Sequence, residues 1–282
     1  RNSWSAIPTP SQSIRVTSIP GLLNALANNA ISEVVVANGT YRVSTAGNQA
    51  ADSLWIGSRF AGRTNPVTVR AETRGGVTFD GGGAGYFGGM AFVEGAHDQT
   101  WDGFVFANGT PTDTGVIVFG GYPGQAAPHH ITLRNMTFLG SLTGRATSAS
   151  APTTDHAIYF SQAVGGPHDL VLEDITVDGT GGLASALHFF HSDDANRNAW
   201  NITVRRLTVS GTQQAIILWD STLQDITIDG ATVTNALSFA LRYEGPGQNI
   251  ILKNINSTGS GSGNGFYSTL GPNPPGVTFS DN

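Results

Sequence analysis

Tyr159, His188, Arg242 and Tyr267 are the residues whose types and spacing most directly suggest chemistry. An Arg or His beside a carboxylate acidifies the neighbouring C–H. A Tyr or His can accept that proton, and a phenol can return one to a leaving oxygen. That is the set needed for β-elimination from a uronate. Glu244 and Asp220, with Asp155, Asp193 and Asp194, suggest a different reaction, glycoside hydrolysis by paired carboxylates. A separation of about 5 Å would imply retention and about 6.5–9.5 Å inversion. Phe190 and Trp219 offer flat apolar faces on which a sugar ring can stack, and His156, His191 and Asp194 could border that platform as substrate-binding groups.

These residues are far apart in the chain, so a repeating scaffold must bring them together. A short motif recurs, small residue then apolar, variable, apolar: Ala157-Ile-Tyr-Phe160, Ala186-Leu-His-Phe189, Ala215-Ile-Ile-Leu218, Ala240-Leu-Arg-Tyr243 and Gly265-Phe-Tyr-Ser268. Its starts at 157, 186, 215, 240 and 265 are 29, 29, 25 and 25 residues apart, and Gly115-Val-Ile-Val-Phe119 reads as an earlier copy. Period-two alternation is a strand pattern. Between these copies lies a longer pattern, among them Leu170–Val177, Ile202–Val209 and Ile226–Val233, each reading as two strand halves bent at a polar pair. A unit of about 25 residues cannot bury its own apolar side. Stacking such units about 4.8 Å apart pairs each strand with its equivalents and encloses a continuous core. Ser18 followed by Pro20, Leu22, Leu23 and Leu26 predicts a helix within residues 18–30 that caps the first coil.

Stacking turns equivalent positions into columns. One outward column reads Ile117, Tyr159, His188, Ile217, Arg242, Tyr267, and a second reads Phe119, Ser161, Phe190, Trp219, Glu244, with His191 and Asp220 one place further on. The outward residues of the longer strands, Thr132, Thr203 and Thr227, are bland by comparison, so the binding groove is expected on the aromatic wall. Asn135 and Asn254, with Asp174 in register, predict an internal ladder at the bends, whereas His129, His130 and His168 read as loop or turn residues.

The opening helix, Asn38-Gly-Thr-Tyr41, Pro66-Val-Thr-Val-Arg70, Gly76-Val-Thr-Phe-Asp-Gly81 and the later coils together resemble the right-handed parallel β-helix proteins of the pectate-lyase-like superfamily, from about Ser18 to the end of the chain. The resemblance implies an all-β, right-handed parallel β-helix with a short N-terminal capping helix: a single domain over 1–282, with coils over 31–282. It does not choose a chemistry, because the superfamily holds lyases, hydrolases, epimerases and phage adhesins. Its polygalacturonase-like hydrolases carry Asn-Thr-Asp, Asp-Asp, Gly-His-Gly and Arg-Ile-Lys. Here Thr154-Asp155, Asp193-Asp194 and Leu241-Arg242-Tyr243 match in part and Gly-His-Gly is missing. Many of its lyases hold calcium, which a stack of carboxylates would suit, but the columns show no such stack, so no cofactor is expected and calcium is the one alternative.

Composition narrows the partners. With 37 Gly in 282 residues and only 12% charged residues, the chain is Gly-rich and charge-poor. A net charge of −6 leaves no basic stripe for nucleic acid. The absence of Cys excludes disulfides, thiolate metal sites and a Cys nucleophile. No apolar run reaches the roughly 18 residues of a membrane span. The expectation is a secreted, monomeric polysaccharide-degrading enzyme, first a lyase on an acidic, uronate-containing glycan. The alternatives are a glycoside hydrolase and a non-catalytic, adhesin-type glycan-binding β-helix.

Overall fold

The computed structural model describes residues 12–44, 50–60, 62–85, 89–111, 114–120, 124–140, 156–161, 163–180, 183–190, 199–219, 223–245, 247–261, 265–268 and 277–280. The strands among these residues form two parallel sheets, one of fourteen strands and one of eight. Each strand pairs with its equivalents one coil before and one coil after, as in a parallel β-helix. The larger sheet includes four strands of eleven residues, His168–Asp178, Trp200–Ser210, Gln224–Thr234 and Gln248–Thr258. The smaller sheet stacks the short motif, as His156–Phe160, Ser185–Phe189, Gln214–Leu218, Phe239–Tyr243 and Phe266–Ser268.

The bends in the long strands have a local cause. The second and seventh residues of each strand take positive φ: Asp169 and Asp174, Asn201 and Arg206, Asp225 and Gly230, Asn249 and Asn254. Asn, Asp and Gly tolerate this left-handed geometry best, and they fill seven of these eight places. The exception, Arg206, is held by two hydrogen bonds that its Nε and Nη2 donate to Asp174 of the previous coil, 2.6 and 2.9 Å. Asn135 and Asn254 do stand at equivalent bends, but they form no internal ladder. Their side chains lie outside the core and donate to Asp102 and Asp229, at 2.6 and 2.9 Å. A left-handed residue at the corner turns its side chain away from the core side of the sheet.

Inside, like residues stack on like. Phe92, Phe119, Phe160 and Phe189 form a column of near-parallel rings with centroids 5.1, 5.4 and 4.2 Å apart. Each such pair contributes about 0.5–1.5 kcal/mol beyond its buried area. The helix, Ile19–Ala27, opens as the sequence predicts: the Ser18 hydroxyl accepts a hydrogen bond from the Gly21 amide, and Leu22, Leu23 and Leu26 are buried. Arg63, almost wholly buried, closes the other end. Its guanidinium donates to the carbonyls of Leu26, Asn28 and Ile31, which lie at and just beyond the helix C-terminus. Coil pairing begins before the helix, not at residue 31, because Gln12–Val16 pairs in parallel with Ile31–Val36.

Candidate active site

The outer wall of the smaller sheet carries the predicted column. Val118, Tyr159, His188, Ile217, Arg242 and Tyr267 are successive Cα partners. The first coil is shifted by one relative to the sequence reading. Val118, and not Ile117, faces outward, while Ile117 and Phe119 are fully buried in the core. Gly115 pairs with His156 and therefore does not take the place of Ala157. A Cβ on Gly115 would lie 2.7 Å from the Cβ of Tyr159, so the glycine answers to the neighbouring coil and not to the small-residue position of the motif. The second column of Ser161, Phe190, Trp219 and Glu244 follows the same backbone ladder. Its amides donate in turn to the carbonyls of Phe119, Phe160, Phe189 and Leu218.

Burial divides this wall into two parts. His156, Tyr159 and His188 are 5, 7 and 8% exposed, so they lie beneath the surface. Tyr159 belongs to a second apolar cluster outside the sheet with Trp55, Ala91, Val93 and Val118, against which Phe190 packs. Rings are in close contact here: His156 lies parallel to Tyr159 at 5.4 Å, and His188 meets both edge-on at 4.2 and 5.3 Å. His156 Nε2 and His188 Nδ1 share a 2.8 Å hydrogen bond, and His156 Nδ1 is 2.8 Å from the Ser185 hydroxyl. Desolvation, with the nearby Arg242 charge, holds the pKa of His188 down to about 3, and desolvation with His188 keeps His156 well below the usual imidazole range. Both rings are neutral at pH 7.

The second part reaches solvent. Trp219 is 38% exposed, its ring parallel to that of His188 at 6.2 Å. The guanidinium carbon of Arg242 lies 5.1 Å from the Trp219 ring centroid. Arg242 Nη2 donates to both carboxylate oxygens of Glu244, at 3.0 and 2.9 Å. The wall therefore offers an apolar plate, a matched cation–carboxylate pair and a buried imidazole chain. Asp155, His191, Asp193, Asp194 and Asp220 lie outside the described residues, as does the side chain of Tyr267. Among the described residues no group of three His, Asp or Glu side chains converges as a metal site.

Two features escaped the sequence reading. Ser185 stands one residue before the recurring Ala, at the place of His156 in the preceding coil, and only the register puts the two side chains together. On the larger sheet, His97, His129, His168 and Trp200 form a ladder of parallel rings with centroids 5.2, 5.1 and 4.5 Å apart, so His129 and His168 are strand residues and not loop residues. Their signal was a register of equivalent positions, 129 to 168 to 200, that is visible only once the coils superpose. Beside this ladder lies a groove of ≈ 380 Å³ floored by Thr68, Thr100 and Thr132.

No protein-family model matches the chain, and no curated protein matches it. Among solved structures it is similar to a variant of the catalytic domain of a GH87 alpha-1,3-glucanase in complex with tetrasaccharides, with a TM-score of 0.35 and 12% identity over 99% of this chain and 70% of that one. The catalytic domain of GH87 alpha-1,3-glucanase in complex with nigerose gives a TM-score of 0.28 at 11% identity, over 99% and 70% of the two chains. Likeness at this level assigns neither activity nor substrate.

Proposed function

We propose that the chain is a secreted polysaccharide-degrading enzyme that hydrolyses a neutral glycan along the outer wall of the smaller sheet. One observation carries this reading: Arg242 is doubly bonded to Glu244 while it lies over the exposed Trp219 ring. A cation already matched by a carboxylate offers a uronate no net charge, and Glu244 itself would repel one. The same pair suits sugar hydroxyls, since the guanidinium donates and the carboxylate accepts, with Trp219 stacking beneath the ring. Glu244 is the carboxylate that pairs with Arg242 beside Trp219, and it is assigned the acid–base role. Asp220, next to Trp219 in the chain, is the candidate second carboxylate. The net charge of −6 also favours a neutral substrate over an acidic one.

The test is incubation of the full chain with a panel of neutral and acidic polysaccharides, reading both new reducing ends and the ultraviolet absorbance of an unsaturated uronate. Reducing ends from a neutral glycan, lost in Glu244→Gln, are expected. The unsaturated product from an acidic glycan would replace hydrolysis with elimination. Binding that needs Trp219 but releases no product would make the protein a binding module.

A further inference from the structure

The groove on the larger sheet has no part in the hydrolysis proposed above, and it is built for a ligand of its own. It has a volume of ≈ 380 Å³ and crosses successive coils. Thr68, Thr100 and Thr132, Cα partners in neighbouring coils, form its floor. Pro66, Asp98 and His130, two residues earlier in each coil, form one side. The threonine rungs are one coil apart, about 4.8 Å. The rail is bounded at both ends. Thr68 pairs with Glu33, whose carboxylate accepts from Arg70 at 2.8 Å, and Thr132 pairs with Val171, which has no hydroxyl. The side of the groove also differs from the same column further along. In later coils its positive-φ residues bond to one another, as where Asn249 donates to Asp225 at 2.6 Å. In the groove they are anchored within their own coil: Asp98 accepts from His97 Nδ1 at 2.8 Å, and His130 shares a 2.7 Å hydrogen bond with His129, Nδ1 to Nδ1. The side chains of Asp98 and His130 remain 40 and 57% exposed.

A threonine hydroxyl both donates and accepts, and a carboxylate that accepts one hydrogen bond has lone pairs left for others. A row of such hydroxyls beside a carboxylate suits a ligand that presents hydroxyls at every step. No Arg or Lys lines the groove among the described residues, and Asp98 repels an anion. An extended peptide falls out of step, because its same-side residues recur at about 6.6–6.8 Å against the 4.8 Å of the rungs. A pyranose residue advances an extended glycan by close to one coil. We infer that this groove is a second glycan-binding site, which holds an extended neutral trisaccharide along the solenoid axis with one sugar residue on each threonine rung. Asp98 accepts hydrogen bonds from its hydroxyls, and the threonine methyls meet its C–H faces. The inference does not rest on the hydrolysis proposed for the smaller sheet.

NMR of the full chain with ¹³C-labelled threonine methyls, titrated with cellotriose, mannotriose or xylotriose, tests it. Saturable shifts at the methyls of Thr68, Thr100 and Thr132 are expected, with a smaller response to trigalacturonate. Thr100→Val keeps the shape of the rung and removes its hydroxyl, and should weaken the binding about fivefold, the loss of one hydrogen bond. Asp98→Asn should weaken it as well, and Trp219→Ala, on the other sheet, should leave it in place. No shift at these methyls with any of the three neutral sugars overturns the site. An equal or larger response to trigalacturonate overturns the neutral ligand. Affinity unchanged in both Thr100→Val and Asp98→Asn overturns the hydroxyl rungs, and loss of the shifts in Trp219→Ala moves the binding to the smaller sheet. None of these readouts needs glycan turnover, so failure of the hydrolase reading leaves them intact, and their failure leaves that reading standing.

Discussion

The two sheets share one repeat, yet their outer walls treat polar residues in opposite ways. On the larger sheet the column Arg70, Asp102, Arg134, Glu173, Arg205, Asp229 and Lys253 alternates in sign coil by coil. Its members pair as Arg134–Asp102, Arg205–Glu173 and Lys253–Asp229 at 2.9–3.0 Å. Beside it runs a rail of threonines that includes Thr68, Thr100 and Thr132. Every charge is matched by its neighbour one coil away and remains in contact with water. On the smaller sheet Tyr159, His156 and His188 are removed from water and in ring contact, His156 and His188 are hydrogen-bonded to each other, and His188 Nε2 has no partner among the described residues. A solenoid can repeat a self-satisfied surface indefinitely. An interruption of that repeat by buried titratable groups has no structural need, and this is why the smaller wall is the better candidate for function.

That contrast can be broken by substitution. Tyr159→Ala should destabilise the protein by about 3 kcal/mol, read by chemical denaturation, because it empties the apolar cluster outside the smaller sheet. Thr132→Ala at its counterpart on the larger sheet should change stability by less than about 0.5 kcal/mol. Equal losses at both sites would remove the distinction.

Acid should act on the buried imidazoles of the smaller wall before it acts on the paired carboxylates of the larger one. His188 has a lowered folded pKa of about 3 against an ordinary 6.5, so the unfolded chain binds its proton more readily. Stability is therefore complete above about 6.5 and falls as pH drops from there toward 3. The paired carboxylates of the other wall respond lower: Asp229, held down by Asn254 and Lys253, loses its contribution only as pH falls through its depressed pKa. His188→Gln should make the upper part of the stability–pH curve shallower, with His156 still titrating there, and leave the lower part unchanged. An unaltered upper limb would mean that the imidazole is not buried in solution.

Trp219→Ala should weaken oligosaccharide binding about tenfold, or about 1.4 kcal/mol, measured by calorimetry on whichever glycan the panel identifies. Smallest of all, a double-mutant cycle on Arg205 and Glu173 should return a coupling of about 0.5 kcal/mol that fades with added salt. A coupling several times larger would mean that the charged wall is less solvated than its exposure indicates.

The residues that spell the repeat were legible because period-two alternation and a constant interval are local properties. The spacing from 157 through 265 placed Tyr159, His188, Arg242 and Tyr267 in one column, as the Cα register has them. The earlier copy at Gly115 slipped by one because a glycine can mean either a small core position or room left for a neighbour, and here it leaves room for Tyr159. His156 read as a rim residue and Ser185 had no motif to mark it. Their partnership is a contact between coils and has no sequence period of its own.

Sequence alone thus determined that the chain must wind into a parallel solenoid, because units this short can bury their apolar faces only against copies of themselves. From residue 157 onward it also determined which residues share a column. Depth was decided only in three dimensions. Whether an outward residue meets water, as Trp219 does, or lies under cover, as His188 does, depends on what neighbouring coils lay over it. Alternation records only which side of a strand a side chain leaves from, so burial, charge state and the contacts that link Ser185, His156 and His188 follow from packing.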